Sequence, residues 1–335
     1  MNSITQLLQN NLSRLRLLCQ SLFAAFCLYI GWQFYTFYLW TTEPGMTFTS
    51  RPPAVEGFLP LGALVSTKRL ILGGGYDTIH PAGLTIFIAA LLIAFFLRKG
   101  FCGWICPVGF ASNLAERFGK KLHLSLTLPP WLDLPLLSLK YILLGFFAYL
   151  ILWQMDLESL TAFHHSAYNL ISDAKMLHFF LHPSLLAGSI MLFLLLLSFV
   201  IKNFWCRYLC PYGGLLGLLA LASPFQIKRT PEACINCKKC EEICPSSIRI
   251  TNRQTVRNAE CIGCLDCLPV CPVKDCLTLS IPGRRRVPSF LLPVFILALF
   301  FLCYLTARIT GHWQTEITVE VFRQLYQQVS SVGHP

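Results

Sequence analysis

The sequence predicts a mainly α, polytopic membrane bundle of about five transmembrane helices, with a small α+β module inserted towards its C-terminal end. Three observations predict it. Charged residues make up 13% of the 335 residues and hydrophobic ones 55%, where a soluble domain carries about 25% charge. About five apolar stretches approach the roughly 20 residues a helix needs to cross a ~30 Å hydrocarbon core. Sixteen cysteines are present, and two runs of identical spacing lie between Cys234 and Pro272. Disulfide scaffolds are short and secreted, so cysteine spacing in a chain of this kind points to metal and a reducing compartment.

The apolar stretches run Leu17–Trp40, Pro81–Leu97, Leu136–Met155, Leu185–Ile201 and Phe290–Leu305. The first has too long an apolar core for a signal peptide and no small-residue cleavage site after it, so a retained anchor is expected. With the N-terminus inside, the inner segments (1–16, 98–140 and 202–286) hold 21 Lys and Arg and the outer ones 6. By the positive-inside rule the cysteine-rich segment is then cytoplasmic and the C-terminal tail lies outside. The formal net charge of +11 borders apolar spans and suits anionic lipid; no basic helix clear of the membrane or RNA-binding aromatic motif accompanies it, which argues against nucleic acid. Gly57–Gly75 is apolar, broken by Pro60, Gly62 and Lys68/Arg69, and too short to span, so a surface or re-entrant segment is expected. Around Val319–Tyr326 weak helical periodicity leaves two readings open, an interfacial helix and a solvated tail. The division expected is 1–222 for four spans, 223–284 for the cysteine-rich module, and 285–335 for the fifth span and tail.

The runs read CINCKKCEEICP (Cys234–Pro245) and CIGCLDCLPVCP (Cys261–Pro272), each C-x2-C-x2-C-x3-C-P. This is the bacterial-type ferredoxin spacing for two [4Fe–4S] clusters, in which the fourth cysteine of each run ligates the other cluster. Carried over by motif, Cys234, Cys237, Cys240 and Cys271 hold one cluster, and Cys261, Cys264, Cys267 and Cys244 the second. Zinc sites use paired C-x2-C knuckles separated by a longer loop, which this pattern is not. Cys276, just past the second run, reads as a free thiol, and Cys19, Cys27 and Cys303 inside spans as packing residues.

A second pattern repeats across the membrane. His80-Pro81 opens an apolar run that closes on FCGWICPVG (Phe101–Gly109), and His182-Pro183 opens one that closes on WCRYLCPYG (Trp205–Gly213). The His-to-Cys separations of 22 and 24 residues are about one membrane thickness of helix, and repeats of this kind mark functional sites in membrane proteins. Cysteines four apart share a helical face. Cys102, Cys106, Cys206 and Cys210 therefore read as a further metal centre, a redox-active dithiol pair, or packing residues. His80 and His182 are a candidate pair for haem ligation or for hydrogen-bonding a quinone carbonyl; His164, His165 and His178 are further outer histidines.

On these motifs the chain resembles the NapH-type membrane quinol dehydrogenase components. The fifth span, the segment RPPAVEGFLPLGALVSTK and the ending GHP are most similar to the YccM-type electron transport proteins. The resemblance implies a multi-pass protein of the bacterial inner (cytoplasmic) membrane, in which the outer C-terminus expected from the charges is periplasmic. It also implies two [4Fe–4S] clusters, exchange with the quinone pool and a protein redox partner, as a component of a quinol dehydrogenase. NosR-type relatives add an outer flavin domain and CcoG-type relatives a C-terminal immunoglobulin-like domain, and the chain is expected to lack both. The alternative function is an accessory role in copper handling or oxidase cofactor assembly, because soft thiolates at Cys102, Cys106, Cys206 and Cys210 suit Cu(I). A redox sensor is the third option, but no sensor or DNA-binding segment is visible.

Overall fold

The computed structural model describes residues 11–124, 126, 128–283 and 286–333. The extreme N-terminus and the last two residues of the GHP ending lie outside them. The chain forms two compact units, one of residues 1–24, 90–144 and 192–299, the other of residues 25–89, 145–191 and 300–335. We call them the cysteine unit and the histidine unit.

Membrane-crossing helices follow from apolar length. Among the described residues three are long and apolar enough to cross: α1 (Leu12–Thr42), the stretch Trp131–Gln154, which comprises α6 (Pro130–Ala148) and a π-turn (Tyr149–Gln154), and α10 (Leu291–Ile309). Between 11% and 22% of their apolar windows is buried within the protein, so most of their side chains are left for lipid. A bent pair qualifies only together, as a broken span or a re-entrant loop, so three or four spans stand where about five were expected. α7 (Ser172–Leu181) and α8 (Leu185–Val200) meet at a bend of 82°, at His182-Pro183-Ser184, where proline removes a donor and restricts the residue before it. α3 (Pro81–Leu97), at 17 residues, is shorter, about 26 Å at 1.5 Å per residue. The third span starts at Trp131, before the expected Leu136, and so takes in Asp133; the candidate fourth extends back across the proline bend.

In the histidine unit the expected surface segment is helix α2 (Pro60–Ile71), preceded by a 3-10 turn over Pro53–Phe58. The tail is not solvated. It forms α11 (Val319–Tyr326), whose Phe322 and Tyr326 are buried against Phe34, Phe37 and Tyr38 of α1; edge-on rings at 5.8–6.5 Å join Phe37 and Phe34 to them, a favoured aromatic geometry.

The cysteine unit carries the only named sheet among the described residues, three short strands in the order β2-β1-β3. β1 (Gln226–Arg229) precedes the first cysteine run, β2 (Thr255–Val256) lies between the runs and β3 (Leu277–Ser280) follows the second. β1 pairs antiparallel with β3 in the register Gln226↔Ser280 to Arg229↔Leu277, so the sheet ties together the two ends of the module. Short helices from the C-x3-C-P motifs press against this module: α4 (Gly100–Trp104) leading into α5 (Pro107–Lys121), and α9 (Pro211–Leu219). A Cβ on Gly103 would collide with the carbonyl of Ile262, and one on Gly217 would lie 2.6 Å from that of Ala259. The Trp104 indole donates to Gly263 O at 3.0 Å. Glycine is required at both positions because backbone meets backbone.

Candidate iron–sulfur site

Two cavities in the cysteine unit gather the eight motif cysteines. Cys234, Cys237, Cys240 and Cys271 line one; Cys244, Cys261, Cys264 and Cys267 line the other. Each has a free volume of about 20 Å³. Every run gives its first three sulfurs to one cavity and its fourth to the other. The backbone explains how such short runs turn inward. Asn236 and Lys238 in the first run, and Gly263 and Leu265 in the second, hold left-handed φ of 55°, 59°, 64° and 63°. The same two positions are left-handed in both, directly before and after the second cysteine. Alternation of this kind turns successive N–H groups into a concavity for negative charge, as at Fe–S sites, and a non-glycine residue pays about 1–2 kcal/mol to adopt it.

The donor set fits an iron–sulfur cluster. Each cavity is lined by cysteine sulfur with no carboxylate among its walls. Among the described residues no three His, Cys, Asp or Glu side chains converge closely enough for a single metal ion, so the sulfurs stand around a space rather than one zinc. Burial pushes Cys244 up to about 11 and Cys264 and Cys267 well above the ordinary thiol range. Burial thus favours the neutral thiols, so binding of metal by these sulfurs must release protons. The first cavity is more open. Cys237 is exposed, and Cys234 is held below the ordinary thiol range by the Asn236 N–H and by Arg229. Cys276 is a fifth sulfur on the first cavity's wall, buried, with its thiol facing Thr230 O at 3.8 Å.

The C-x3-C-P cysteines form one neighbourhood. Cys102 lies in α4, Cys106 caps α5, Cys206 sits in the π-turn Trp205–Leu209, and Cys210 caps α9, accepting from Gly213 N at 3.2 Å. Burial raises Cys102, and the other three sulfurs raise it further while Lys99 opposes them; burial likewise pushes Cys206 up to about 12. Lys99 Nζ and Cys210 Sγ each lie 3.5 Å from where a Gly213 Cβ would stand. Lys99 also reaches Glu260, the residue before Cys261, at 3.9 Å. Burial disfavours the charged Glu260, but Lys99 and Lys140 hold its carboxyl below the ordinary range, and Tyr141 donates to it at 2.8 Å. The neighbourhood thus touches the loop that supplies Cys261 and Cys264.

The two candidate histidines are in different surroundings. His80 is buried in the histidine unit, its Nε2–H donated to Asn169 O at 2.7 Å and its Nδ1 3.7 Å from Glu56 Oε1. Glu56 accepts from Arg51 at 2.7 Å and from the first amides of α3, Ala82 N at 2.9 Å and Gly83 N at 3.2 Å. Arg51 also binds Asp173, which accepts from Tyr326. Burial alone would lower His80, but Glu56 and then Asp173 outweigh it and raise its pKa. His182 is exposed at the α7–α8 bend, with the His178 ring 4.9 Å away. No recorded contact joins it to His80. His164 stands 3.7 Å from Asp77, and burial lowers it to about 4. Sequence reasoning missed Arg51, Glu56 and Asp173, as it missed Lys140 with Glu260 and Arg207 with Asp133. Isolated charges in or beside apolar stretches were the available signal.

Comparison with known families gives this geometry a class. The family described as "4Fe-4S binding domain" matches residues 79–125 and again 181–230, and "4Fe-4S dicluster domain" matches 226–272. The chain is an iron–sulfur electron transport protein with membrane-crossing helices. It is 37% identical over 310 residues to YccM of Escherichia coli, whose name describes an electron transport protein, covering 89% of this chain and 87% of the relative. An uncharacterized protein of Methanocaldococcus jannaschii is 33% identical, covering 64% of this chain and 76% of the relative. The ferredoxin-type protein NapH of Haemophilus influenzae is 27% identical, covering 57% and 64%. The chain belongs to the YccM-type family of electron transport proteins. No solved structure matches.

Proposed function

We propose that the protein carries electrons between the quinone pool and a protein redox partner through two [4Fe–4S] clusters, as a component of a quinol dehydrogenase. One cluster is held by Cys234, Cys237, Cys240 and Cys271, the other by Cys244, Cys261, Cys264 and Cys267. The observation that carries the reading is the crossed gathering of the two runs into two cavities, the arrangement of two-cluster ferredoxins. Bound there, such clusters supply one-electron chemistry at a potential set by charge, hydrogen bonds to sulfur and exposure.

The chain's own residues divide the work. The left-handed amides of Asn236, Lys238, Gly263 and Leu265 wrap each site. Arg229 places positive charge against Cys234, at the cavity whose Cys237 is exposed, which favours a protein partner on that side. The buried second cavity lies against α4, where Gly103 meets the Ile262 carbonyl; the four sulfurs Cys102, Cys106, Cys206 and Cys210 we assign as a further redox or metal site. The module 223–284 faces the cytoplasm and the tail the periplasm, on the charge asymmetry of the loops.

The test is anaerobic iron and acid-labile sulfide analysis with low-temperature EPR of the purified protein. About eight irons per chain are expected for two clusters, and more if the four further cysteines also hold iron. Menaquinol should reduce the clusters or menaquinone oxidise them. Colourless protein carrying zinc would sink the cluster reading; full clusters indifferent to both quinone forms would sink the quinone reading alone.

A further inference from the structure

The cysteine unit contains one much larger cavity, of about 880 Å³. We propose that it is the binding site for the quinone head group; this rests on the quinone reading above and places its site. The volume lies in the range of small-ligand pockets, and the lining sets an apolar wall opposite a strongly charged one that also includes Lys202, Glu241, Glu242 and Glu260. The apolar wall comes from Leu134, Leu137 and Ile201. Leu134 and Leu137 are near the start of the span Trp131–Gln154, and Ile201 directly follows α8. An isoprenoid tail could therefore stay in lipid while the ring sits among protein groups.

The polar wall is built and held. Arg207 donates to both oxygens of Asp133, at 2.9 and 2.7 Å from one nitrogen, and Tyr208 OH donates to Asp133 at 2.5 Å. The Arg207 side chain is 7% exposed, and it also binds Ser246 O. These contacts fix the wall without filling the cavity, and Arg249 and Arg253 add N–H donors to its lining, the partners a quinone carbonyl needs.

The decisive feature is what lies behind that wall. Ser246 and Ile248 line the large cavity and also the cavity of Cys244, Cys261, Cys264 and Cys267. A single layer of residues separates the two. A quinol held there would lose two electrons and two protons to become the quinone; the two clusters, when bound, would accept one electron each, and solvent reaching the cavity would take the protons. The pair His80 and His182 is thereby relieved of the quinone role, and the site moves to the unit that holds the cysteines.

The experiment is photolabelling of the full-length protein in lipid nanodiscs with an azido-naphthoquinone, followed by peptide mass spectrometry. Label is expected on peptides covering 128–137 and 246–253, competed away by excess menaquinone. Leu134→Trp fills the cavity from an exposed helical position, and Leu137→Trp from one turn further on. Either should cut labelling by about tenfold or more, the equivalent of about 1.4 kcal/mol, with iron content unchanged. Competed label confined to the peptides around His80 would overturn the location while leaving the quinone reading intact. Absence of competed label anywhere, with clusters indifferent to menaquinol, would overturn both. A phospholipid retained in native mass spectra and not displaced by menaquinone would make the cavity a lipid site and overturn the proposal.

Discussion

His80 shows how a single buried side chain can be decided by its neighbours. Two carboxylates, Glu56 and Asp173, face His80 against one guanidinium, Arg51, and although burial opposes it, Glu56 and then Asp173 raise the pKa of His80. A raised folded-state pKa means that the stability gained is fully present below the unfolded value of about 6.5 and is lost as pH rises through the folded value. Thermal melts of wild type and His80→Gln in mild detergent should therefore differ most at acid pH and converge as pH rises. A gap independent of pH would show that His80 acts only through its Asn169 hydrogen bond. Nothing in the sequence marked this: Glu56 and Asp173 lie 24 residues before and 93 after His80, and only folding joins them. The eight module cysteines were legible because their spacing is dictated by a shared cofactor geometry. Cys276 was not, because its place on the first cavity's wall depends on where β3 brings it.

At the scale of elements, the contact of α4 and α9 with the module loop depends on the absence of side chains. Gly103→Val should drive a Cβ into the Ile262 carbonyl and cost about 1–3 kcal/mol through displaced backbone, with iron lost from the site of Cys261 and Cys264. Gly145→Ala, where nothing lies within 4 Å, is the control and should be neutral or stabilising. Differential scanning fluorimetry together with iron analysis reads both. The long apolar helices were legible from length and hydropathy. Their ends were not: the third span begins at Trp131 rather than Leu136, taking in Asp133, whose charge is neutralised within the fold by Arg207. The tail helix looked ambiguous because its apolar residues are few. Phe322 and Tyr326 are enough once α1 presents aromatic rings to them.

For the molecule as a whole, the distribution of 21 basic residues against 6 makes orientation a direct prediction. A C-terminal alkaline phosphatase fusion should be active and a C-terminal green fluorescent protein fusion exported by the same route should be dark; the reverse would invert the account of which compartment meets the cysteine module. That asymmetry, and the apolar excess, could be read without coordinates because they are sums over many residues. The large cavity could not, since its walls come from segments more than a hundred residues apart, Lys120 to Glu260. The β1–β3 ladder has one last implication. Because Gln226 is paired with Ser280, the polypeptide enters and leaves the cofactor-bearing insert through what amounts to a single doorway, about 5 Å wide. Such a doorway means that the whole insert could be removed or replaced as a block without re-threading the helices on either side of it.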